Sequence, residues 1–157
     1  MSTPHDALTR LGITLPPAPK PVAAYIPAVR AGNLIFVSGQ LPMSSGALLS
    51  TGPVPSKVSI EDAQKAAKQC ALNAIAVVAD QLGGDLTKVK RIVRLGVFVQ
   101  SDDRFDGQPK VANGASEFMQ EVFGEAGRHA RAAVGTNALP LDATVEVEVL
   151  VEVKQDA

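Results

Sequence analysis

The clearest regularity in the sequence is the alternation of apolar and polar positions between residues 145 and 153. Valine occupies every second position there, and three of the four positions between the valines are glutamates. Since side chains of a β-strand point alternately to its two faces, the pattern predicts a strand with one buried face. The segment 89–100 predicts a second, central strand, and its apolar face carries Val93, Leu95, Val97 and Val99.

Three further strands are predicted from shorter apolar runs. The run 34–37 follows a turn signal at 31–33, so the segment 25–40 is predicted to form a β-hairpin. The segment 127–135, rich in small and apolar residues, returns the chain to the sheet before the last strand.

Two segments have the periodicity of amphipathic helices. Between residues 60 and 82 apolar side chains recur at spacings of three and four, and Gly83-Gly84 supplies a C-terminal stop. The segment 111–122 repeats this spacing and ends at Gly124. A shorter helix is predicted after Thr3 and Pro4. It precedes a proline-rich extended strap at 15–21, and a loop is predicted at 42–57.

The order of elements predicts an α+β domain spanning 1–157, in which 1–24 forms the N-terminal helix and the proline-rich strap. Two main helices can cover one face of a mixed sheet. The strand containing Leu34, Ile35, Phe36 and Val37 has no wholly polar side, so the second face also needs a cover. Other copies of the chain around a closed symmetry axis would supply it, and we therefore expect a homo-oligomer.

Composition narrows the classes of partner. The chain has 15 lysines and arginines against 16 aspartates and glutamates, only 4% aromatic residues and no tryptophan. Nucleic acid is therefore not an expected partner. Without a signal-peptide pattern or an apolar run of membrane-spanning length, we expect a soluble, cytoplasmic protein with no membrane partner. The single cysteine, Cys70, falls on the apolar stripe of the long helix and is predicted to be buried and inert.

Metal and nucleotide sites are not predicted. His5 and His129 lie far apart with no third ligand marked nearby, and no glycine-rich nucleotide-binding motif follows a strand.

The most informative polar residue is Arg131, which enters an otherwise small and apolar strand. A guanidinium group there needs an anionic partner, and its planar fork matches a carboxylate through two parallel hydrogen bonds. One interpretation is an anchor for a small organic acid. The other is a structural ion pair with Glu146 or Glu148, and spacing along the sequence does not choose between them.

Several motifs occur in an order that resembles a known family. They are Tyr25, the run GNLIFVSGQLP at 32–42, VFV at 97–99, Arg131, LP at 139–140 and VEVE at 145–148. In this order, and over most of the chain, they resemble the RidA/YjgF family of reactive-intermediate deaminases. The N-terminal helix and the 42–59 loop resemble features of a longer branch of that family.

The resemblance implies a chorismate-mutase-like fold, a homotrimer with ligand pockets in the clefts between subunits, and no cofactor. It implies hydrolysis of enamines and imines such as 2-aminoacrylate to 2-keto acids and ammonia. By position, Arg131 corresponds to the family's carboxylate-binding arginine and Glu146 to the acidic residue that positions or activates the attacking water. The pocket-lining residues that it implies are Tyr25, Ser38, Gly39 and Asn113.

One departure bears on activity, because many members have a cysteine two residues after the arginine and this chain has Ala133. Two functions therefore stay open: an enamine/imine deaminase, and a non-catalytic protein that binds a small carboxylate in the same intersubunit cleft. Endoribonuclease activity is disfavoured by the balanced charge, the scarce aromatics and the lack of a histidine acid/base pair.

Overall fold

The computed structural model describes residues 1–20 and 24–157. The α-helices are α1 (Pro4–Arg10), α2 (Ile60–Gln81) and α3 (Gln108–Phe123). The strands are β1 (Ala28–Ala31), β2 (Leu34–Gln40), β3 (Met43–Ser44), β4 (Ala47–Leu48), β5 (Val89–Gln100), β6 (Ala130–Thr136) and β7 (Val145–Val153). Single turns of 3₁₀ helix occur at Leu86–Lys88, Gly124–Gly127 and Pro140–Asp142.

Five of the strands form one sheet in the order β1-β2-β7-β5-β6, while β3 and β4 form a separate small hairpin. β5 and β6 run parallel, and the other neighbours in the large sheet run antiparallel. The sheet is therefore mixed, and the predicted α+β class is confirmed.

One face of the sheet is buried beneath α2 and α3. All five valines of β7 are at most 4% exposed, and Leu95, Val97 and Val99 of β5 are buried with them. The prediction for Val93 is wrong, because the β5–β7 register shifts between Ile92 and Arg94. This irregularity interrupts the alternation, so Ile92 is buried and Val93 is only partly buried.

The predicted helix ends are confirmed. Thr3 and Asp6 form a reciprocal capping box at the start of α1. After α2 the backbone enters the left-handed region at Gly83 and Gly84, with φ of 65° and 90°, which glycine adopts without steric cost. α3 ends at Gly124.

The loop predicted at 42–57 contains the β3–β4 hairpin. Two-residue strands carry no periodic signal, and the hairpin is held by a residue distant in sequence. Asn73 of α2 is 6% exposed, and its Nδ2 donates to the carbonyls of Leu41 and Met43 at 3.0 Å. The strap before β1 has no regular secondary structure over 15–20, and the last strap residue, Pro21, lies outside the described residues.

The sheet face opposite the helices keeps apolar side chains exposed. Val29 and Phe36 are register partners on β1 and β2, and they are 52% and 48% exposed. Val134 of β6 is 47% exposed and is the register partner of Phe98, which alternates with the buried residues of β5. That copies of the chain cover this face stays a prediction. Across the described ranges, no helix combines the length and hydropathy required to cross a bilayer.

α2 and α3 are in close backbone contact at Gly114. A Cβ atom at Gly114 would overlap the Gln64 carbonyl oxygen and lie 2.7 Å from its carbonyl carbon. Gln64 also donates from Nε2 to the Lys110 carbonyl at 2.8 Å, which ties the two helices together. The absence of a Cβ atom at 114 therefore permits this close approach of the helices.

We expect Gly114→Ala to destabilise the protein by about 1–3 kcal/mol, because the added methyl group meets backbone that cannot rotate away. In an open helix the same change stabilises by about 0.5–1 kcal/mol, so the sign of the effect is diagnostic. Urea denaturation measures it, with Glu117→Ala on the exposed side of α3 as the control. A Gly114→Ala protein more stable than the wild type would contradict the close contact.

Candidate functional site

Arg131 lies on β6, at one edge of the sheet, with its side chain directed toward α3. Its register partner on β5 is Leu95, which faces the helices. The Arg131 Nη1 atom donates to Asn113 Oδ1 at 2.8 Å and to Ser116 Oγ at 3.1 Å. Asn113 and Ser116 are three residues apart on α3, so they project from the same side of the helix. We call Asn113, Ser116 and Arg131 the arginine half-site.

The alternative in which Arg131 forms an ion pair with Glu146 or Glu148 is not what the structure shows. Glu148 Oε1 lies 3.4 Å from Arg94 Nη1 instead. Within the described part of the chain, Arg131 has no carboxylate at ion-pair distance, and its side chain is exposed. The guanidinium group is therefore accessible to an external anion.

Glu146 lies on the opposite face of the sheet from Arg131. It alternates with the buried Val145 and Val147, and its register partner Phe98 points away from the helices. Because Leu95 and Phe98 are three positions apart on β5, their side chains project to opposite faces. The sheet therefore separates the Arg131 guanidinium from the Glu146 carboxylate.

The Glu146 carboxylate occupies space left by Gly39 on the neighbouring strand. A Cβ atom at Gly39 would overlap Glu146 Oε1 and would lie 2.8 Å from Cδ. The β2–β7 register shifts at this point, between Val37 and Gln40. Glu148 repeats the arrangement over Gly96, where a Cβ would lie 2.7 Å from Glu148 Oε1. Each carboxylate thus rests on a strand position that has no side chain.

Partial burial raises the pKa of Glu146 above its ordinary value, and the negative charge of Glu148 raises it further. A carboxylate with a raised pKa accepts a proton from water more readily than an ordinary surface carboxylate does.

Beneath the sheet, burial raises the pKa of the Cys70 thiol, whose Sγ lies 3.7 Å from the Val145 carbonyl. Cys70 is fully buried, as predicted.

Gly39 lies against Glu146, Ser38 precedes it on β2, and Tyr25 lines a cleft together with Gly39. Ser38 Oγ donates to the Ile26 carbonyl at 2.9 Å, which ties β2 to the segment that carries Tyr25. Tyr25 and Gly39 line an open cleft of about 560 Å³ between the proline strap and the β3–β4 hairpin. We call Tyr25, Ser38, Gly39 and Glu146 the glutamate half-site.

The six site residues predicted from the sequence therefore form two groups. The structure brings Asn113 and Arg131 into direct contact, and it groups Tyr25, Ser38, Gly39 and Glu146 around the end of β2. It does not bring the two groups together within one chain. Among the described residues, no three histidine, cysteine, aspartate or glutamate side chains are grouped to hold a metal ion.

Two polar residues near Arg131, Ser116 and His129, were not predicted from the sequence. Ser116 accepts from Arg131, and it lies 2.9 Å from Nε2 of His129. The spacing of three between Asn113 and Ser116 is a signal that could have identified the serine. No local pattern marks His129, because its contact with α3 depends on how β6 docks against that helix.

Comparisons with known proteins cover almost the whole chain. The family model described as YjgF/chorismate mutase-like, a description that also names an endoribonuclease, matches residues 5–153. Protein TCP17 of Trypanosoma cruzi is 47% identical over 146 residues, covering 92% of this chain and 91% of its own. A 2-iminobutanoate/2-iminopropanoate deaminase of Dermatophagoides farinae is 31% identical over 143 residues, covering 90% and 95%. The crystal structure of an Agrobacterium tumefaciens protein of unknown function has 47% identity and a TM-score of 0.90, with 96% and 92% covered.

We expect Glu148→Gln to lower the pKa of Glu146, because the substitution removes a like charge that disfavours the ionised form. The pKa should stay above its ordinary value, since burial is the larger cause. NMR titration of the side-chain carboxyl carbons measures both effects. Glu152→Gln is the matched control, because Glu152 pairs with Lys90 at 2.8 Å. An unchanged Glu146 pKa in Glu148→Gln would contradict the coupling.

Proposed function

Because the chain belongs to the YjgF/chorismate mutase-like family, to which the RidA proteins belong, we propose that it hydrolyses 2-enamino and 2-imino acids to 2-keto acids and ammonia. The family model covers residues 5–153, so the resemblance seen in the sequence is confirmed. A relative with 31% identity is named a 2-iminobutanoate/2-iminopropanoate deaminase. Substrates such as 2-aminoacrylate fall in the same chemical class.

The observation that carries the proposal is which nitrogen atoms of the Arg131 guanidinium group form hydrogen bonds. Both of its hydrogen bonds to α3 use Nη1. Within the described residues, no acceptor lies on Nε or Nη2, which form the other edge of the planar group. That edge matches the two oxygens of a carboxylate through parallel hydrogen bonds. Arg131 would therefore anchor the carboxylate of the substrate.

A complete site requires a second copy of the chain. Arg131 and Glu146 lie on opposite faces of one sheet, so one substrate cannot contact both within a single chain. We propose that the chain forms a homotrimer, in which the arginine half-site of one subunit meets the glutamate half-site of the next. The exposed Val29 and Phe36 support burial of the outer sheet face in such an assembly.

The proposed reaction needs one base and one fixed carboxylate. An enamine first takes up a proton from solvent on carbon and loses one from nitrogen, which gives the imine. Arg131 holds the carboxylate of the substrate and so orients C2. Glu146 accepts a proton from a water molecule as the water oxygen bonds to C2. Glu146 passes this proton to nitrogen, which gives a tetrahedral intermediate carrying a hydroxyl and an amino group. The hydroxyl proton then moves through Glu146 to the amino nitrogen, the C–N bond breaks as the C=O bond forms, and ammonia leaves with the 2-keto acid. The half-buried setting of Glu146 suits this exchange, because it raises the pKa.

The alternative is a non-catalytic protein that binds a small carboxylate in the same cleft. Ala133 favours it, since the side chain two residues after Arg131 carries no thiol where many family members have one. The two functions share the Arg131 contact and differ in turnover.

Cleavage of RNA is less well supported. His5 accepts from the Leu86 amide while His129 contacts Ser116, so the two histidines do not act as a pair. A reducing, cytosolic setting remains part of the proposal and is supported by the single buried thiol of Cys70.

The test is release of ammonia and pyruvate from 2-aminoacrylate that a serine dehydratase generates in situ. We expect Arg131→Ala to lower kcat/KM by about 100-fold, as loss of a bidentate charge-assisted contact predicts. Glu146→Gln should lower kcat by about 100-fold or more, because it removes the base. Arg10→Ala is the matched control, since Arg10 is exposed, lies in the last turn of α1 and belongs to neither half-site.

Release no faster than with the dehydratase alone would overturn the deaminase proposal. Calorimetric binding of 2-oxobutanoate by the wild type, weakened in Arg131→Ala, would then support the binding protein.

A further inference from the structure

We propose that Ser116 and His129 form a brace that fixes the Arg131 guanidinium group before a ligand binds, so both act as positioning residues. The nature of the ligand rests on the proposed function. The brace itself rests on the geometry of this chain, and through two side chains it connects Arg131 to the backbone of the 3₁₀ turn that follows α3.

The brace is a continuous series of hydrogen bonds. Arg131 Nη1 lies 3.1 Å from Ser116 Oγ, and Ser116 Oγ lies 2.9 Å from His129 Nε2. His129 Nδ1 lies 2.7 Å from the Gly127 carbonyl oxygen. Ser116 is only 7% exposed, so its hydroxyl group depends on these partners rather than on bulk water.

When the His129 ring is neutral, the chemistry of the four groups sets the direction of every bond. A carbonyl oxygen can only accept, so His129 Nδ1 must carry a hydrogen. In the neutral ring Nε2 is then an acceptor, and Ser116 donates its only hydrogen to it. The serine lone pairs are thereby left for Arg131. Without His129 the hydroxyl group could rotate and direct its hydrogen toward the positively charged guanidinium group.

The far end of the brace is rigid. A Cβ atom at Gly127 would overlap the Met119 carbonyl oxygen and lie 2.7 Å from its carbonyl carbon, so Gly127 rests directly on the backbone of α3. Gly127 is buried. The acceptor for His129 is therefore fixed on the same helix that supplies Asn113 and Ser116.

The brace acts on affinity through preorganisation. An arginine side chain has several rotatable bonds, and a carboxylate that binds it must otherwise restrict them. Holding Nη1 on Asn113 and Ser116 leaves the Nε–Nη2 edge oriented toward the ligand. Since the carboxylate does not react, its contact is equally strong in the ground and transition states. Loss of the brace should therefore raise KM more than it lowers kcat.

The experiment compares Ser116→Ala, His129→Ala and His129→Gln with the wild type. We expect the first two to raise the Kd for 2-oxobutanoate, measured by calorimetry, and the KM for the imine by about 10-fold, with kcat changed by less than about twofold. His129→Gln keeps an acceptor within reach of Ser116 and should restore part of the loss. Ser59→Ala is the matched control, because it removes the α2 N-cap contact with the Asp62 amide and should lower stability without changing Kd or KM.

A second readout does not depend on the proposed function. The Arg131 Nε–H signal, assigned by its loss in Arg131→Lys, should show lower NMR order parameters in Ser116→Ala and His129→Ala than in the wild type. In its neutral form, His129 should show the tautomer with hydrogen on Nδ1.

An equally ordered Arg131 in the two alanine variants would overturn the brace, whether or not the protein turns over imines. Disorder of Arg131 in the variants, combined with no ligand binding by the wild type, would support the brace and overturn the proposed function.

Discussion

Burial of one sheet face beneath α2 and α3 is the constraint on which the rest of the structure depends. The valines of β7 and Leu95, Val97 and Val99 of β5 all enter that core. Strand geometry then directs the residues between them to the opposite face. Glu146 and Glu148 are thus held on the outer face by the same alternation that builds the core, while the register with Leu95 directs Arg131 toward the helices.

The arrangement of the candidate site depends on three glycines, which leave space that a side chain would otherwise fill. Gly39 and Gly96 leave room for the carboxylates of Glu146 and Glu148, and Gly127 lets the segment before β6 rest on α3. Partial burial of Glu146 and the negative charge of the neighbouring Glu148 raise the pKa of Glu146. Gly127 anchors the hydrogen bonds that reach Arg131. Backbone contact therefore contributes to both half-sites.

Local patterns were sufficient to predict much of this arrangement. The period of two in 145–153 and the three-four spacing in 60–82 each report a single element, so β7 and α2 were predicted within a few residues. Val93 was assigned to the wrong face, because a register shift depends on the partner strand. The β3–β4 hairpin was missed for a related reason, since Asn73 secures it from a distant helix.

The candidate site shows the same division between local and nonlocal information. Ordered motifs predicted Arg131, Glu146 and their neighbours as site residues, but only the sheet register shows that Arg131 and Glu146 lie on opposite faces. Ser116 and His129 contact each other through the docking of β6 and α3, which no single segment encodes. The choice between a ligand anchor and an internal ion pair for Arg131 likewise required the register.

The most direct test of the account is complementation between two inactive variants. Arg131→Ala and Glu146→Gln chains would be coexpressed with different tags, purified as mixed oligomers and assayed for imine hydrolysis. If each site combines Arg131 of one subunit with Glu146 of another, random one-to-one mixing restores about a quarter of the wild-type activity, because about one site in four has both groups intact. Mixed oligomers no more active than the separate variants would contradict a site shared between subunits.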